Sequence, residues 1–407
     1  MKEVCIISYT SNTAPGGVAT YLKEYVFCLK KTGCRINLVE LGTDKKRSEF
    51  YVKETGNIRT IHFPYLLKGD VDRYQKGVCR LLRLYVEDSG NLVFHLNCDH
   101  CNSLIDGLKK NFPLSKSVYV IHFSFWSAAL QGDVALFEKI IRNQEDRNIK
   151  IKYKDVIHNY KREKSFLEKV DRIVCLSDDT LKMVKNQYGI KQNVWLIPNG
   201  LRKNVRQLSE DEIAKLRQSY YLSPEEKILL FVGRIDSIKG IDHLMACFAD
   251  VVAAYANCRL AIIGPGDINA IVKTDKKVYA KVIFTGELDS KSLSHWYQMA
   301  DIALFPSLYE ECSYVGIEMM MHGLPVISSD GYSVRNMFFD GVNAKVVNIK
   351  NRDRKTATAK KLKESIIELL HSDLSTLAIR KGAREMYQSK YAIEHMQNGY
   401  AALLNSL

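Results

Sequence analysis

The sequence predicts an α/β protein made of two doubly wound parallel-sheet domains in tandem. Short runs rich in Val, Ile and aromatic residues alternate with longer amphipathic segments, which is typical of a parallel sheet covered by helices on both faces. The alternation stops near the middle of the chain and then restarts. The length of 407 residues agrees with this division, because a domain of about 100–200 residues is large enough to bury a core.

The first series begins at the start of the chain. The opening segment MKEVCIISYTSN reads as a strand, because it lacks the long apolar core and small-residue cleavage site of a signal peptide. Strands are predicted at 4–9, 35–41, 92–96, 117–123, 172–177 and 193–198. Helices are predicted at 18–32, 73–88 and 153–169.

The second series follows a polar connection with a short helix. Strands are predicted at 228–233, 258–264, 281–286, 301–306 and 324–328. Helices are predicted at 240–256, 290–299 and 314–322, with two or three more in the tail 356–407. We therefore assign an N-terminal domain to 1–200, a connection to 201–226, a C-terminal domain to 227–385 and a last helix to 386–407, which we expect to cross back to the first domain.

Composition excludes several classes of protein. With 46% hydrophobic and 26% charged residues, the chain is neither a disordered tail nor a fibre. No run of about 18 uncharged apolar residues predicts a transmembrane helix. The ten cysteines are scattered, often inside apolar runs, which favours small core residues in a reducing cytoplasm over a disulfide framework.

The first motif with a chemical meaning follows the strand ILLFV. It runs from Gly233 to Gly240 and contains Arg234 and Lys239. A glycine lets the backbone approach a ligand, and two cations beside free N–H groups at a helix start suit a diphosphate. The alternative interpretation is a solvated basic turn.

The second motif follows the strand DIALFP, in the segment FPSLYEECSYVGIE. Glu310 lies in the loop, a helix is expected to begin near Ser313, and Glu318 lies about one turn into that helix. The first amides of the helix offer a second anion site, and a carboxylate nearby can accept hydrogen bonds from two sugar hydroxyls. The alternative is an ordinary helix cap with surface acids.

Three weaker signals remain. Pro15, Gly16 and Gly17 form a glycine turn that opens a helix after the first strand. His122 ends the strand SVYVIH, where it is either a ligand of a sugar or a satisfied core histidine. The segment from His95 to Cys101 contains C-x-x-C, but no second ligand pair at short spacing accompanies it, which favours a turn between a strand and a helix over a metal or redox site.

Taken together, these motifs resemble the retaining glycosyltransferases of the GT-B fold, specifically the large family numbered four. The resemblance covers about 330 residues, with G-R-x-x-x-x-K-G at 233–240 and the Glu, seven residues, Glu signature at 310–318. The P-N-G element at 198–200, IIGPGD, FTGEL and APGGV occur in the family's order. The sequence departs from the family at Glu311, where glycine is common, and at Asn336, near the usual position of a glutamate.

The resemblance implies a fold of two Rossmann-like domains facing a cleft, and a role for each motif. Arg234 and Lys239 would hold the diphosphate of a nucleotide-sugar, and Glu318 would bind the ribose. The resemblance also implies contacts to each part of the donor. The sugar would contact Glu310 and the backbone amides of Cys312, Ser313, Tyr314 and Val315, and the base would contact Gly286 and Leu288. The phosphates would contact Gly233 and, from the first domain, Gly16 and Gly17. His122 would contact the donor sugar near the reacting carbon, so the catalytic set is Glu310, His122, Arg234 and Lys239.

The implied reaction is transfer of a hexose-type sugar to an acceptor hydroxyl with retention of configuration. It needs neither metal nor cofactor, and the co-substrate is a nucleotide-sugar, with a UDP-sugar favoured over a GDP-sugar. The acceptor is a glycan, a lipid-linked glycan or a peptide side chain. Two alternatives stay open, a non-catalytic subunit that binds sugar nucleotides and a GT-B epimerase, whereas Gly264-Pro-Gly266 lacks the third glycine of a dinucleotide oxidoreductase.

The positive charge has two interpretations. The net charge is +13, and 138–172 holds eleven Lys or Arg against seven Asp or Glu, while 345–364 holds eight against two. A solvated surface is one interpretation, and peripheral contact with an anionic inner membrane face is the other. Nucleic acid is not an expected partner, because no recognised nucleic-acid module is present.

Overall fold

The computed structural model describes residues 1–10, 16–42, 49–64, 70–98, 101–268, 278–349 and 355–407. The chain divides into two compact units. Met1–Gly200 and Ile393–Leu407 form the first unit, and Leu201–Ala392 forms the second.

The first unit is built on a mostly parallel sheet. Its strands are β1 (Glu3–Thr10), β2 (Arg35–Gly42), β3 (Tyr51–Thr55), β4 (Ile58–Phe63), β5 (Leu92–Asn97), β6 (Lys116–Ile121), β7 (Arg172–Cys175) and β8 (Val194–Leu196). They are ordered β3-β4-β2-β1-β5-β6-β7-β8, and β3 pairs with β4 in the antiparallel sense. Strands β2, β3 and β4 lie on one side of β1, and β5 to β8 lie on the other side. The strand order therefore reverses between β1 and β5.

Helices connect these strands. They are α1 (Gly17–Lys31), α2 (Val71–Leu82), α3 (Asn102–Asn111), α4 (Phe125–Ala129), α5 (Val134–Arg142), α6 (Arg147–Lys152), α7 (Lys154–Leu167) and α8 (Asp178–Asn186). The last helix of the chain, α15 (Ile393–Asn405), contacts α1 in the same unit. Between the two strand series lies α9 (Glu210–Ser219), which begins with a capping box of Ser209 and Glu212.

The second unit contains a parallel sheet. Its strands are β9 (Lys227–Val232), β10 (Cys258–Ile263), β11 (Val282–Gly286), β12 (Ile302–Phe305), β13 (Val326–Ser329) and β14 (Lys345–Val347). The order is β11-β10-β9-β12-β13-β14, which is the order of a dinucleotide-binding fold, with its reversal between β9 and β12. Ligands of such sheets bind beyond the carboxyl ends of the strands at this reversal, so the loops after β9 and β12 are where a site is expected.

The helices of the second unit cover both faces of that sheet. They are α10 (Ile241–Ala254), α11 (Ser290–Met299), α12 (Tyr314–His322), α13 (Lys355–His371) and α14 (Asp373–Met386), followed by a π turn (Tyr387–Tyr391). Leu229 and Phe231 of β9 are buried in one core cluster with Phe248 of α10 and Ile366 of α13. Residues Ile228 to Val232 are all buried, so both faces of β9 are covered, which explains why this strand reads as an unbroken apolar run.

The predicted fold class, two parallel-sheet α/β domains, is confirmed, and the differences are local. The hairpin β3–β4 and the edge strand β14 were not predicted. Every residue of β3 is exposed, so the strand has no apolar face that a pattern could reveal. The predicted helix 73–88 ends at Leu82, because the following residues form turns instead of continuing the helical bonds.

The cysteines of the chain are core residues. All ten cysteines fall within the described residues, where each is buried and none forms a disulfide, as predicted from their apolar surroundings. Among the described helices, none has the length and hydropathy needed to cross a membrane.

Candidate functional site

The loops after β9 and β12 are held together at the strand-order reversal of the second unit. The backbone N–H of Leu308 donates to the carbonyl of Ile238 at 2.8 Å. Ile238 lies in a 3-10 turn (Ser237–Lys239) directly before α10, and Leu308 lies in the loop after β12. The two predicted motifs therefore form one surface at the carboxyl ends of the strands.

Gly240 makes this close packing of the two loops sterically feasible. Its φ is +74°, in the left-handed region, and it stands between the 3-10 turn and α10. A Cβ at this position would lie 2.1 Å from the carbonyl oxygen of Pro306, a contact no side chain can make. The final glycine of the G-R-x-x-x-x-K-G motif is thus required by conformation and by space.

A buried ion pair crosses the two loops. Lys239 Nζ lies 2.6 Å from Glu310 Oε1, and the side chains are 21% and 9% exposed. An ammonium group has three N–H donors, so this bond leaves two of them for other acceptors. The motif lysine and the first glutamate of the second motif, which are 71 residues apart in sequence, are therefore direct partners.

Arg234 is the exposed cation of the site. Its Nε donates to Asp236 Oδ2 at 2.9 Å, and the side chain is 64% exposed. The other oxygen of Asp236 accepts the backbone N–H of Lys239 at 3.0 Å and so caps the 3-10 turn. Asp236 thereby orders both motif cations, a role that was not predicted although the residue lies inside the motif.

Gly233 and Gly264 lie where β9 and β10 end side by side. The N–H of Gly233 donates to the carbonyl of Ile263, and a Cβ at Gly264 would lie 2.1 Å from the carbonyl oxygen of Gly233. Gly264, which resembles part of a dinucleotide motif in the sequence, is thus explained by backbone packing. Asn269, the end of that stretch, lies outside the described residues.

Helix α12 begins at the position predicted from the sequence. Ser313 is its N-cap, and its side chain accepts the N–H of Gly316 at 3.5 Å. Cys312 and Tyr314 are buried beside it, and Val315 lies in the first turn. The first N–H groups of a helix have no partner in the preceding turn, so this end carries partial positive charge next to Lys239 and Glu310.

Glu318 lies one turn into α12 and is joined to α11. Tyr297 donates to Glu318 Oε2 at 2.8 Å, and His322 Nδ1 lies 2.8 Å from the Glu318 carbonyl. Desolvation raises the pKa of the Glu318 carboxyl to about 7, and the hydrogen bond from Tyr297 opposes this rise. Tyr297 was not predicted as a site residue, since nothing in its local sequence points to Glu318.

The remaining predicted contacts of the second unit lie at the end of β11. Gly286 has a φ of +69° and accepts the N–H of Gly264 at 2.9 Å. Leu288 is half-buried two residues later, just before Asp289, which caps α11. Gly286 ends β11 and Leu288 follows it, at the carboxyl end of the strand that neighbours β10.

Two positions at which the sequence departs from the family have internal partners. Glu311 is buried, and Tyr309 donates to its Oε1 at 2.6 Å. The carbonyl of Asn336 accepts from Lys390 Nζ at 3.1 Å and from the Tyr391 hydroxyl at 3.3 Å. At Glu311 an acidic side chain thus occupies the interior of the loop after β12, next to Glu310 in sequence.

The other predicted site residues belong to the first unit. Gly16 is the N-cap of α1 and Gly17 is its first residue, and no described atom lies within 4 Å of a Cβ built at either. Pro15, the first residue of this predicted glycine turn, lies outside the described residues. His122 follows β6, and its Nε2 lies 2.9 Å from Asn97 Oδ1 at the end of neighbouring β5.

The C-x-x-C segment has a structural explanation. Cys98 and Cys101 are buried, and the hydroxyl of Tyr9 lies 3.6 Å from Cys101 Sγ. Both cysteines lie between β5 and α3, as expected for a strand-to-helix turn, while His100 lies outside the described residues. Among the described side chains, no group of three or more His, Cys, Asp or Glu is arranged to hold a metal ion.

Models of known families match both halves of the chain. The model described as Glycosyltransferase Family 4 matches residues 15–204, and the one described as Glycosyl transferases group 1 matches residues 226–371. An uncharacterised glycosyltransferase of Methanocaldococcus jannaschii is 31% identical over 193 residues, which is 47% of this chain and 46% of that protein. The matches span about half the length of the curated relatives.

Solved structures share the fold over the whole chain. Sucrose-phosphate synthase from Thermosynechococcus elongatus superposes with a TM-score of 0.77 at 20% identity, covering 100% of this chain and 99% of that one. HepE from Anabaena, in complex with UDP-glucose, superposes with a TM-score of 0.69 at 13% identity and covers 100% of both chains. These neighbours confirm the GT-B fold predicted from the sequence.

Proposed function

This chain belongs to the group 1 glycosyltransferases of family 4, and we propose that it transfers a hexose-type sugar from a UDP-sugar to an acceptor hydroxyl. The acceptor would be a glycan, a lipid-linked glycan or a peptide side chain. The preference for uridine is supported by HepE, a structural neighbour that was solved with UDP-glucose. Arg234, Lys239, Glu310 and Glu318 would form the donor site together with the first turn of α12.

The Lys239–Glu310 pair is the observation that carries this proposal. It joins the two family motifs at the strand-order reversal, where the fold class binds its ligands. One N–H of Lys239 goes to Glu310, and the other two would bind oxygens of the diphosphate. Glu310 and the amides at the start of α12 would bind sugar hydroxyls next to that diphosphate.

The charges suit the chemistry of glycosyl transfer. The bond between the anomeric carbon and the phosphate oxygen breaks, so negative charge grows on the departing diphosphate and positive charge on the sugar ring. Lys239, Arg234 and the helix amides would stabilise the first charge without reorganising, which is the largest source of rate in many enzymes. The acceptor oxygen would form its bond on the same face, and its proton would pass to the departing phosphate, so configuration is retained.

A panel of nucleotide-sugars in a thermal-shift assay tests the donor assignment. A ligand at about 100 times its Kd stabilises the folded protein by about 2.7 kcal/mol, which is measurable as a higher Tm. We expect UDP-sugars to raise the Tm more than GDP-sugars. No shift with any nucleotide-sugar would contradict the proposal, and an inverted anomeric linkage in the product, read by NMR, would contradict retention alone.

Donor binding should depend on the protonation of Glu318. Its pKa of about 7 means that the carboxylate is charged above pH 7 and becomes neutral as the pH falls below it. A neutral carboxyl loses one strong acceptor for the ribose hydroxyls, so we expect UDP-glucose to bind about tenfold more weakly at pH 5.5 than at pH 8.5. Calorimetric titration across this range measures the effect.

Two variants of the same site serve as controls for that pH dependence. Glu318→Gln should bind weakly with no change between the two pH values, because nothing at position 318 titrates. Tyr297→Phe should move the midpoint to higher pH, because the hydrogen bond it removes lowers the pKa of Glu318. A Glu318→Gln profile identical to that of the wild type would assign the titration to another group.

We also propose that the basic segment 138–172 contacts anionic membrane. Helix α6 has no buried residue, and Ile151 is 69% exposed between the exposed Lys150 and Lys152. An apolar side chain flanked by lysines suits an interface with anionic lipid, where each Lys contributes about 1 kcal/mol.

Co-sedimentation with phosphatidylserine vesicles tests this membrane contact. The double variant Lys150→Glu/Lys152→Glu should lower the partition coefficient for these vesicles by at least about 30-fold at low salt. The control is Lys30→Glu/Lys31→Glu, which makes the same charge change at exposed positions at the end of α1. Binding that ignores salt, or that falls equally in both variants, would contradict a specific basic face.

A further inference from the structure

A chain of polar side chains lies inside the first unit, next to the predicted catalytic histidine. His122 follows β6, Asn97 and His95 belong to β5, Tyr21 lies on α1 and Tyr400 lies on α15. All of them except His122 are buried to 8% exposure or less. We call this set the His122–Tyr400 chain.

Its members are joined by consecutive hydrogen bonds. His122 Nε2 lies 2.9 Å from Asn97 Oδ1, and Asn97 Nδ2 lies 3.0 Å from His95 Nδ1. His95 Nε2 lies 3.3 Å from the Tyr21 hydroxyl, which in turn lies 2.5 Å from the hydroxyl of Tyr400. The chain therefore connects the last helix of the protein to His122.

The direction of the chain is set by the backbone at His95. An asparagine amide placed between two histidines could donate either way, because its oxygen and nitrogen are interchangeable in shape. Here Asn97 Nδ2 also lies 3.3 Å from the carbonyl oxygen of His95, which can only accept. The amide nitrogen must then face His95, and the amide oxygen must face His122.

The positions of both imidazole protons follow from that orientation. Asn97 Oδ1 can only accept, so His122 donates from Nε2. Asn97 Nδ2 donates to His95 Nδ1, so His95 carries its proton on Nε2 and donates it to the Tyr21 hydroxyl, which is hydrogen-bonded to the hydroxyl of Tyr400.

Both imidazoles of the chain are neutral at pH 7. Burial lowers the pKa of His95 far below its usual value and that of His122 to about 3. Each ring therefore carries a single N–H, and fixing it on one nitrogen leaves a lone pair on the other.

We propose that Asn97, His95, Tyr21 and Tyr400 are positioning residues that hold His122 in its Nε2–H tautomer, with Nδ1 kept as an acceptor for a hydroxyl of the bound substrate. Among the described residues, Nε2 is the ring nitrogen of His122 that has a protein partner. His122 is partly exposed as a residue, and Tyr21 packs edge-on against its ring with a centroid distance of 4.5 Å. The role of the acceptor rests on the proposed function, because a sugar donor supplies the hydroxyl.

Tyr25 offers a matched control for this chain. Its ring lies 4.1 Å from that of His95 and 4.6 Å from that of Tyr400, between centroids. Its hydroxyl is buried and has no hydrogen-bond partner among the described residues. Tyr21→Phe and Tyr25→Phe thus remove the same atom from one aromatic cluster, but only the first interrupts the chain.

Nitrogen-15 NMR of histidine-labelled full-length protein reads the tautomer directly, without substrate. The His122 signal is assigned by its loss in His122→Gln. We expect the Nε2–H form in the wild type and in Tyr25→Phe. Tyr21→Phe removes the acceptor of His95 Nε2–H and leaves the His95 carbonyl as the only group among the described residues that sets the direction, so the preference weakens and a measurable Nδ1–H fraction should appear at His122. An Nδ1–H wild type, or equal ratios in both tyrosine variants, would overturn the proposal.

Kinetics test whether the tautomer matters for transfer. Tyr21→Phe should lower kcat about tenfold with little change in KM for the donor, whereas Tyr25→Phe should leave both unchanged. Equal kcat values in the two variants, with the tautomer altered as expected, would contradict the positioning role. If the wild type turned over no nucleotide-sugar, the proposed function would fail, while the NMR result would still decide the direction of the chain.

Discussion

Lys239→Met is expected to lower the turnover of the UDP-sugar by about 10²–10³-fold, the usual effect of removing one preorganised donor from a developing negative charge. Lys239 is the less exposed of the two motif cations and lies against Glu310, so its charge is least screened by water. Steady-state assays of sugar transfer, or of slow donor hydrolysis without acceptor, measure the loss.

Two further variants keep the result interpretable. Lys239→Met leaves the carboxylate of Glu310 buried without its partner, which destabilises the fold; adding Glu310→Gln removes that charge and should restore the Tm but not the turnover. Lys381→Met is the control, since Lys381 also pairs with a carboxylate, Glu385, but is 78% exposed. Turnover by Lys239→Met equal to that of Lys381→Met would remove the diphosphate assignment.

Gly240→Ala is expected to be strongly destabilising. The added Cβ would lie 2.1 Å from the Pro306 carbonyl oxygen, and the residue would keep a φ of +74°. The left-handed conformation costs an alanine about 1–2 kcal/mol, and relieving the contact requires movement of backbone. We expect a total above about 3 kcal/mol, or a fall in Tm of at least roughly 6 °C.

Gly341→Ala separates the two contributions. Gly341 has a φ of +69°, close to that of Gly240, but no described atom lies within 4 Å of a Cβ there. Gly341→Ala should show the conformational penalty alone, so its Tm should fall about half as far as that of Gly240→Ala, or less. Equal shifts in calorimetry would mean that the loop after β12 yields easily and does not fix the position of Lys239.

The sequence was most informative where one local rule decides a structure. A helix start was predicted near Ser313, after the strand DIALFP, and β9 to β13 were predicted because buried parallel strands are unbroken apolar runs. The position of the G-R-x-x-x-x-K-G motif directly after β9 likewise predicted that Lys239 and Gly240 lie in the loop between this strand and the next helix.

What the sequence could not predict depends on contacts between distant residues or on backbone alone. The bond between Tyr21 and Tyr400 joins residues 379 positions apart, and Tyr297 reaches Glu318 from another helix. The exposed strand β3 is defined by its pairing with β4, not by an apolar pattern. The direction of the His122–Tyr400 chain depends on one carbonyl oxygen, which carries no sequence signal.

A crystal structure of the protein with UDP tests the central claim most directly. We predict the pyrophosphate within hydrogen-bond distance of Lys239 Nζ and beside Arg234, at the start of α12, with the ribose hydroxyls on Glu318. Density for UDP elsewhere, with the Lys239–Glu310 pair unchanged and this surface unoccupied at saturating nucleotide, would contradict the account.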